Sequence, residues 1–315
     1  MKKFPLVCIV VVNWNGGEMV EKCIKSLKMT SYPNYKLIFV DNNSEDGSLQ
    51  KVMKIKPDAK VLRLDKNYGY APGMNVGMKY AIDKMKANYI CAMSSDVITV
   101  QKDWLDLQIK ELEEKKEYGV SAGKLVFPDG RFQEMVRKDR SNYKEMDRGQ
   151  YDFIKEVDAV WGACIIYKTV VLKKIGFLDE NFFYGPDDID MCIRARKAGF
   201  KIIYNGLAKI IHIGAFSGLS PKRDYIYRYQ SEGMLIYAFR HLSITNKILM
   251  VFRQLIRALV TRKDPFSNFS VKNTIWHWKS LPKRIILFFI AFFAALKNFK
   301  KIKYNADKIK YEELR

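Results

Sequence analysis

The sequence predicts the α/β class: a mostly parallel sheet flanked by helices, with a helical extension at the C-terminal end. Three observations point there. The first hundred residues alternate β-branched apolar runs with helix-spaced segments, the rhythm of parallel strands joined by crossover helices. The strands of that rhythm lead into polar residues, Asn13, Asp41, Asn67 and Asp96. After about Gly218 the pattern changes to long aromatic and basic helical segments. At 315 residues the chain is long enough for one large domain and an appendage, and we divide it into 1–218 and 219–315.

Val7–Asn13 reads as a buried strand because it is almost wholly apolar and β-branched. Met19–Leu27 has helical spacing. Lys36–Asp41 is the next strand, followed by the polar turn Asn42–Gly47 and a helix over Ser48–Ile55. Ala59–Leu64 is a third strand, and a glycine-rich segment then opens a helix to about Met85. Tyr89–Met93 is the fourth strand, ending at Ser94-Ser95-Asp96. Beyond it we expect a helix over Trp104–Glu117, a hairpin around Pro128-Asp129-Gly130 and a strand over Asp158–Tyr167. Helices over Thr169–Ile175 and Asp187–Ala198 are each closed by a glycine, and short strands follow at Lys201–Tyr204 and Lys209–Ile213.

With 48% hydrophobic and 28% charged residues, the composition excludes collagen, low-complexity disorder and a disulfide miniprotein. The five cysteines form no CxxC pair, which argues against structural zinc; we expect reduced thiols in a cytoplasmic protein. The apolar run after Met1-Lys-Lys is too short for a secretory signal and lacks a cleavage site. The longest apolar stretch, Ile285–Leu296, has twelve residues, short of the roughly 20 that span a bilayer.

Several polar groups stand where ligands bind in such sheets, beyond the carboxyl ends of the strands. Asp41 suits hydrogen bonds from a nucleobase or a ribose hydroxyl, and equally a cap for the turn after it. The segment from Asn67 through Gly69 and Gly73 to Gly77 permits close backbone approach before a helix start, which suits a phosphate or an ordinary tight loop; it is not a GxGxxG fingerprint. Asp96 at a strand end could hold a divalent cation with diphosphate and water completing its shell. Asp187, Asp188 and Asp190 place three acids in four positions, two of them in the first turn of a helix, which the helix dipole favours; the repulsion of adjacent Asp187 and Asp188 also suits a carboxylate tuned as a general base. His212, in an apolar strand, is a core residue unless Asp96 lies beside it.

Taken together, Val11–Gly16, Val40–Ser44, the Asn67–Gly77 loop, Ser95-Asp96, Trp161-Gly162-Ala163, Gly176–Phe183, Asp187–Asp190 and His212 resemble, in order, the inverting family 2 glycosyltransferases with the GT-A fold, especially the rhamnosyltransferase-like branch. The resemblance covers about Val7 to Ser217 and implies a Rossmann-like, mostly parallel catalytic domain. It also implies a nucleotide-sugar donor, dTDP-rhamnose or a UDP-hexose, and a polysaccharide or polyprenyl-linked acceptor. Val12, Asn13, Asp41, Asn67, Gly69, Gly73 and Asp96 would hold the donor, and Asp96 and His212 a Mg²⁺ or Mn²⁺ ion. Asp188 would be the general base, with Asp187 in the place of the family's Glu. Trp161, Gly162 and Ala163 would line the acceptor side. A second reading is a catalytically inactive relative that binds nucleotide-sugar as an assembly partner.

The charge balance of +21 is uneven. From His241 to Arg315 there are 16 Lys and Arg against 4 Asp and Glu, a net +12. Basic residues flank two apolar segments, Ile248–Val260 and Ile285–Leu296, so we expect a peripheral anchor on an anionic membrane at its cytosolic face. Packing on the catalytic domain or dimerisation through these helices is the alternative. Nucleic acid is not expected, because the charge surrounds an apolar core and no nucleic-acid module is present.

Overall fold

The structure is a computed structural model that describes residues 4–133, 145–183, 185–214, 223–259 and 281–314. The first strand, β1 (Val7–Asn13), is buried at every position, as expected of a strand covered on both faces. Four helix-linked strands build the parallel half of the sheet. They are β1, β2 (Tyr35–Asp41), β3 (Lys60–Leu64) and β4 (Tyr89–Ser94), joined through α1 (Gly17–Leu27), α2 (Ser48–Ile55) and α3 (Tyr70–Asp83). Their order in space is β3-β2-β1-β4, all parallel. The order reverses between β1 and β4, which places a ligand crevice at the carboxyl ends of those two strands.

Helix α3 lies unusually close to this sheet. A Cβ at Gly77 would stand 2.3 Å from Val10 Cγ1 and 2.9 Å from Val40 Cγ2, so only glycine permits the approach.

Beyond β4 the sheet is mixed. The following elements are β5 (Val97–Thr99), α4 (Trp104–Glu114), β6 (Tyr118–Val126), β7 (Ile154–Val157), β8 (Cys164–Lys168), α5 (Thr169–Ile175), α6 (Asp187–Lys197) and β9 (Lys201–His212). Strand β8 runs antiparallel to β4 and β6, β9 runs parallel to β6, and β5 and β7 pair antiparallel with β9. The two short strands expected at 201–204 and 209–213 are one strand. Asn205-Gly206 looks like a turn in sequence but sits at a bulge, where pairing with β6 jumps from Gly123↔Asn205 to Lys124↔Lys209. A Cβ at Gly206 would meet the Tyr151 carbonyl oxygen, so the glycine serves close backbone approach rather than reversal. The helix expected to Glu117 stops at Glu114, because the chain is drawn into β6 from Tyr118.

The chain divides into two compact units, Met1–Leu178 with Asp188–Ser217 and Tyr304–Arg315, and Asp179–Asp187 with Gly218–Lys303. The boundary expected at 218/219 lies outside the described residues. The second unit holds α7 (Arg223–His241), α8 (Ile244–Leu259) and α9 (Leu281–Asn298). Within it, buried Phe182, Leu235, Ile236, Met250 and Ala295 form a small core, and the fully buried Asp179 pairs with Arg240 at 2.7 Å. Among its described residues no helix is long and apolar enough to cross a membrane. The helical region expected over 219–315 does not run to its end as helix: β10 (Tyr311–Leu314) pairs antiparallel with β3 in the first unit. It covers the backbone that β3 would otherwise expose, with Glu313 held by Lys60 at 2.6 Å.

All five cysteines are free and buried. Burial pushes the Cys8 and Cys192 thiols up to about 12, so both are protonated and unreactive at neutral pH.

Candidate functional site at the carboxyl rim of the sheet

Asn13, the last residue of β1, is fully buried, and its Nδ2 reaches Asp41 Oδ1 at 3.3 Å, Ser44 Oγ at 3.0 Å and Ser48 Oγ at 2.8 Å. Asp41, opposite it at the end of β2, is also fully buried. Its Oδ2 accepts the Ser44 N–H at 3.0 Å and lies 3.9 Å from Arg63 Nε. In this arrangement the carboxylate shapes the Asn42–Gly47 turn. Ser44 in turn accepts the Asn15 N–H at 3.0 Å, so the turns after β1 and β2 are tied together.

The glycine-rich segment closes the same rim. A Cβ at Gly73 would lie 3.0 Å from Val12 Cγ1 and 3.2 Å from Asn42 Nδ2, so α3 begins directly against the strand ends. Gly69 has φ +92°, a conformation that side chains disfavour, and it precedes the helix. Exposed Asn67 accepts the Gly69 N–H at 2.8 Å. Asn42 accepts the Tyr68 N–H and donates to the Gly69 carbonyl at 3.0 Å. No side chain caps the start of α3, which suits a helix end that faces an anion.

Asp96 and His212 are brought together by β5. This three-residue strand pairs Val97 with His212, and the Ile213 N–H donates to the Asp96 carbonyl at 3.0 Å. Asp96 Oδ2 lies 3.5 Å from His212 Nε2 and accepts the Gly214 N–H at 3.0 Å. Burial alone would raise the Asp96 carboxyl. The His212 hydrogen bond and charge, with backbone N–H groups, outweigh it and hold the carboxyl below the usual carboxylate range. His212 Nδ1 stands 2.8 Å from Gln133 Oε1. Its Nε2 faces Asp96. Among the described residues no three His, Cys, Asp or Glu side chains gather into a metal cage. One oxygen and one imidazole nitrogen fit a cation that takes its other ligands from a diphosphate and water.

The third group lies beside β8. The Ala163 carbonyl accepts the Ser94 N–H at 2.8 Å, which joins Trp161-Gly162-Ala163 to the end of β4. Asp188, nearly buried on α6, accepts the Gly162 N–H at 2.7 Å through Oδ2 and the Ile189 N–H at 2.7 Å through Oδ1. A Cβ at Gly162 would stand 3.0 Å from Asp188 Cβ, which explains the glycine. Asp187 is the first residue of α6 and falls in the second compact unit, whereas Asp188 falls in the first. Asp190 is fully buried and bonded to Arg194 at 2.7 Å; Arg194 also donates to the Ile175 and Phe177 carbonyls, so this pair is structural.

The rim is continuous in register. Val12 pairs with Ser94, Asn13 with Asp41, and Ser94 bonds to Ala163. The β9 end that carries His212 runs parallel to β6, which is antiparallel to β8, so it reaches the same edge. Five members were not foreseen: Asn42, Ser44, Ser48, Gln133 and Gly214. The polar turn after Asp41 signalled Asn42 and Ser44; Ser48 opens the helix after it, and Gln133 and Gly214 carry no local signal.

Comparison with known proteins agrees with this architecture. The family model described as glycosyl transferase family 2 matches residues 8–176. An uncharacterized protein of Sinorhizobium fredii, y4gI, is 26% identical over 67% of this chain, which spans only 25% of that protein's length. An N-acetylglucosaminyl-diphospho-decaprenol L-rhamnosyltransferase of Mycobacterium tuberculosis is 21% identical over 74% of this chain and 84% of its own. The mannosyltransferase PcManGT of Pyrobaculum calidifontis, solved with GDP-Man and Mn²⁺, superposes with TM-score 0.57 at 15% identity over 95% of this chain and 88% of its own. With a GT-A fold and a family match over more than half its length, the chain belongs to glycosyl transferase family 2.

Proposed function

We propose that this protein transfers a sugar from a nucleotide-diphosphate donor, with inversion, to a lipid-linked or polysaccharide acceptor in cell-surface glycan synthesis, working from the cytoplasm. The observation that carries the reading is the Asp96–His212 pair, which strand pairing sets at the carboxyl rim close to the β1/β4 crevice. The relative that acts on a decaprenol-linked sugar and the structural neighbour that binds a nucleotide-sugar support the same class of donor and acceptor. By analogy with that rhamnosyltransferase, dTDP-rhamnose is the first donor to test, and UDP-hexoses follow.

In this reading the uncapped start of α3, with Gly69 and Gly73, receives the diphosphate. Val12 and Asn13 border the nucleoside. Asp41 serves the donor's base and also holds the Asn42–Gly47 turn in shape. Asp96 and His212 would hold Mg²⁺ or Mn²⁺, which when bound neutralises charge on the departing diphosphate. Asp188 takes the proton of the acceptor hydroxyl. The acceptor oxygen forms the new bond to the anomeric carbon as the bond to the diphosphate oxygen breaks on the opposite face, and the diphosphate leaves with the electron pair. One displacement inverts the configuration. Asp187, next to the base, and Trp161, Gly162 and Ala163 border the acceptor side.

The test is turnover of dTDP-rhamnose and a panel of UDP-hexoses with polyprenyl-diphosphate-linked acceptors, with the anomeric configuration of the product read by NMR. The expected product has inverted configuration. A retained configuration, or tight nucleotide binding with no turnover of any donor, contradicts the reading; the latter outcome favours an inactive assembly partner.

A further inference from the structure

We propose that the outward faces of α8 and α9 seat this protein on an anionic lipid bilayer, lying in the interface without crossing it. The two helices pack on each other through buried Ala258 and Phe288, with Val251, Leu255, Leu287 and Phe292 around them. That contact satisfies their inner sides only. On α8, Ile244 is 71% exposed, and Phe252 and Ile256 follow it on the same face at helical spacing. On α9, Ile286, Phe289 and Phe293 form a second exposed strip, with Phe293 at 63%. Nothing else among the described residues covers either strip.

The surrounding charge selects the occupant. Residues 244–259 and 281–303 carry nine Lys and Arg and no Asp or Glu. Arg253 is exposed beside the α8 strip, Lys283 and Lys297 stand exposed near the two ends of the α9 strip, and Lys300, Lys301 and Lys303 follow. Exposed apolar side chains ringed by cations match a surface that offers acyl chains beneath anionic headgroups. A second copy of the chain would bring the same cations against themselves. A crossing is excluded for these helices, neither being long and apolar enough. Such a seat would hold the enzyme where a lipid-linked acceptor lies, but it stands without the sugar-transfer reading.

The experiment is cosedimentation of the full chain with vesicles of phosphatidylcholine plus phosphatidylglycerol, and with phosphatidylcholine alone. The wild type is expected to bind the anionic vesicles at least about tenfold better, and binding falls as salt screens the headgroups. Phe252→Asp with Phe293→Asp should weaken partitioning by about 100-fold or more. A second variant, Lys297→Glu with Lys300→Glu and Lys301→Glu, leaves the apolar strips intact and should erase the preference for anionic lipid. A wild type that binds neither vesicle, or unchanged binding by both variants, overturns the proposal. So does a wild-type dimer that the Phe252/Phe293 variant dissociates with no vesicle binding. No substrate enters the assay, so its outcome is independent of whether sugar transfer is observed.

Discussion

Replacing Asp188 with Asn is expected to lower kcat by about 10²–10⁴-fold, the range for loss of a positioned general base, with little change in donor KM. The carboxylate accepts the Gly162 and Ile189 N–H groups at 2.7 Å each; an Asn oxygen keeps the bond to Gly162 and gives up that to Ile189 at the helix start, a small loss beside the loss of the base. Fold and donor pocket are therefore expected to survive while the proton acceptor is lost. Steady-state kinetics, together with the thermal shift produced by the nucleotide diphosphate, separate the two effects. Turnover near that of the wild type removes Asp188 from the role of base.

Gly77→Ala is expected to destabilise the protein by about 2–3 kcal/mol, at the upper end of the usual cost of overpacking a rigid core. The added methyl must displace Val10 or Val40, both fully buried on adjacent central strands, or lift α3 from the sheet. If the helix lifts, Gly69 and Gly73 at its start move away from Val12 and Asn42, so donor affinity falls along with stability. Thermal melting should drop by roughly 5–10 °C for a unit of this size. An unchanged melting temperature would show that the close approach of α3 to β1 and β2 does not hold.

The part of the fold nearest the donor rim is the part most legible in sequence, for a physical reason. Strands β1 and β4 and the second half of β2 are covered on both faces, so they are written as continuous apolar runs, and α1 and α2 carry ordinary amphipathic spacing. Strand β6 is not: Gly119, Ser121, Gly123 and Lys124 interrupt it, and it is held as a strand by its pairing with β8 and β9. Tyr311–Leu314 contains two glutamates and becomes β10 only because β3 offers an unpaired edge. The site follows the same division. Asp96 and His212 were each readable as candidates, but their meeting depends on β5, three residues whose strand character comes from pairing with β9. Asp41 was legible as a rim residue, whereas its inward orientation depends on Asn13 and Ser44, residues far apart in the chain.

The most direct test of the central claim, that Asp96 and His212 serve a donor diphosphate at the carboxyl rim, is Mn²⁺ binding followed by the electron paramagnetic resonance of the free ion. With wild-type protein, the free-ion signal should fall far more when UDP or dTDP is present than with protein or nucleotide alone, because the pair supplies only two protein ligands. Asp96→Asn should restore the free-ion signal nearly to that of nucleotide alone. Equal Mn²⁺ uptake by the wild type and Asp96→Asn in the presence of nucleotide would contradict the account.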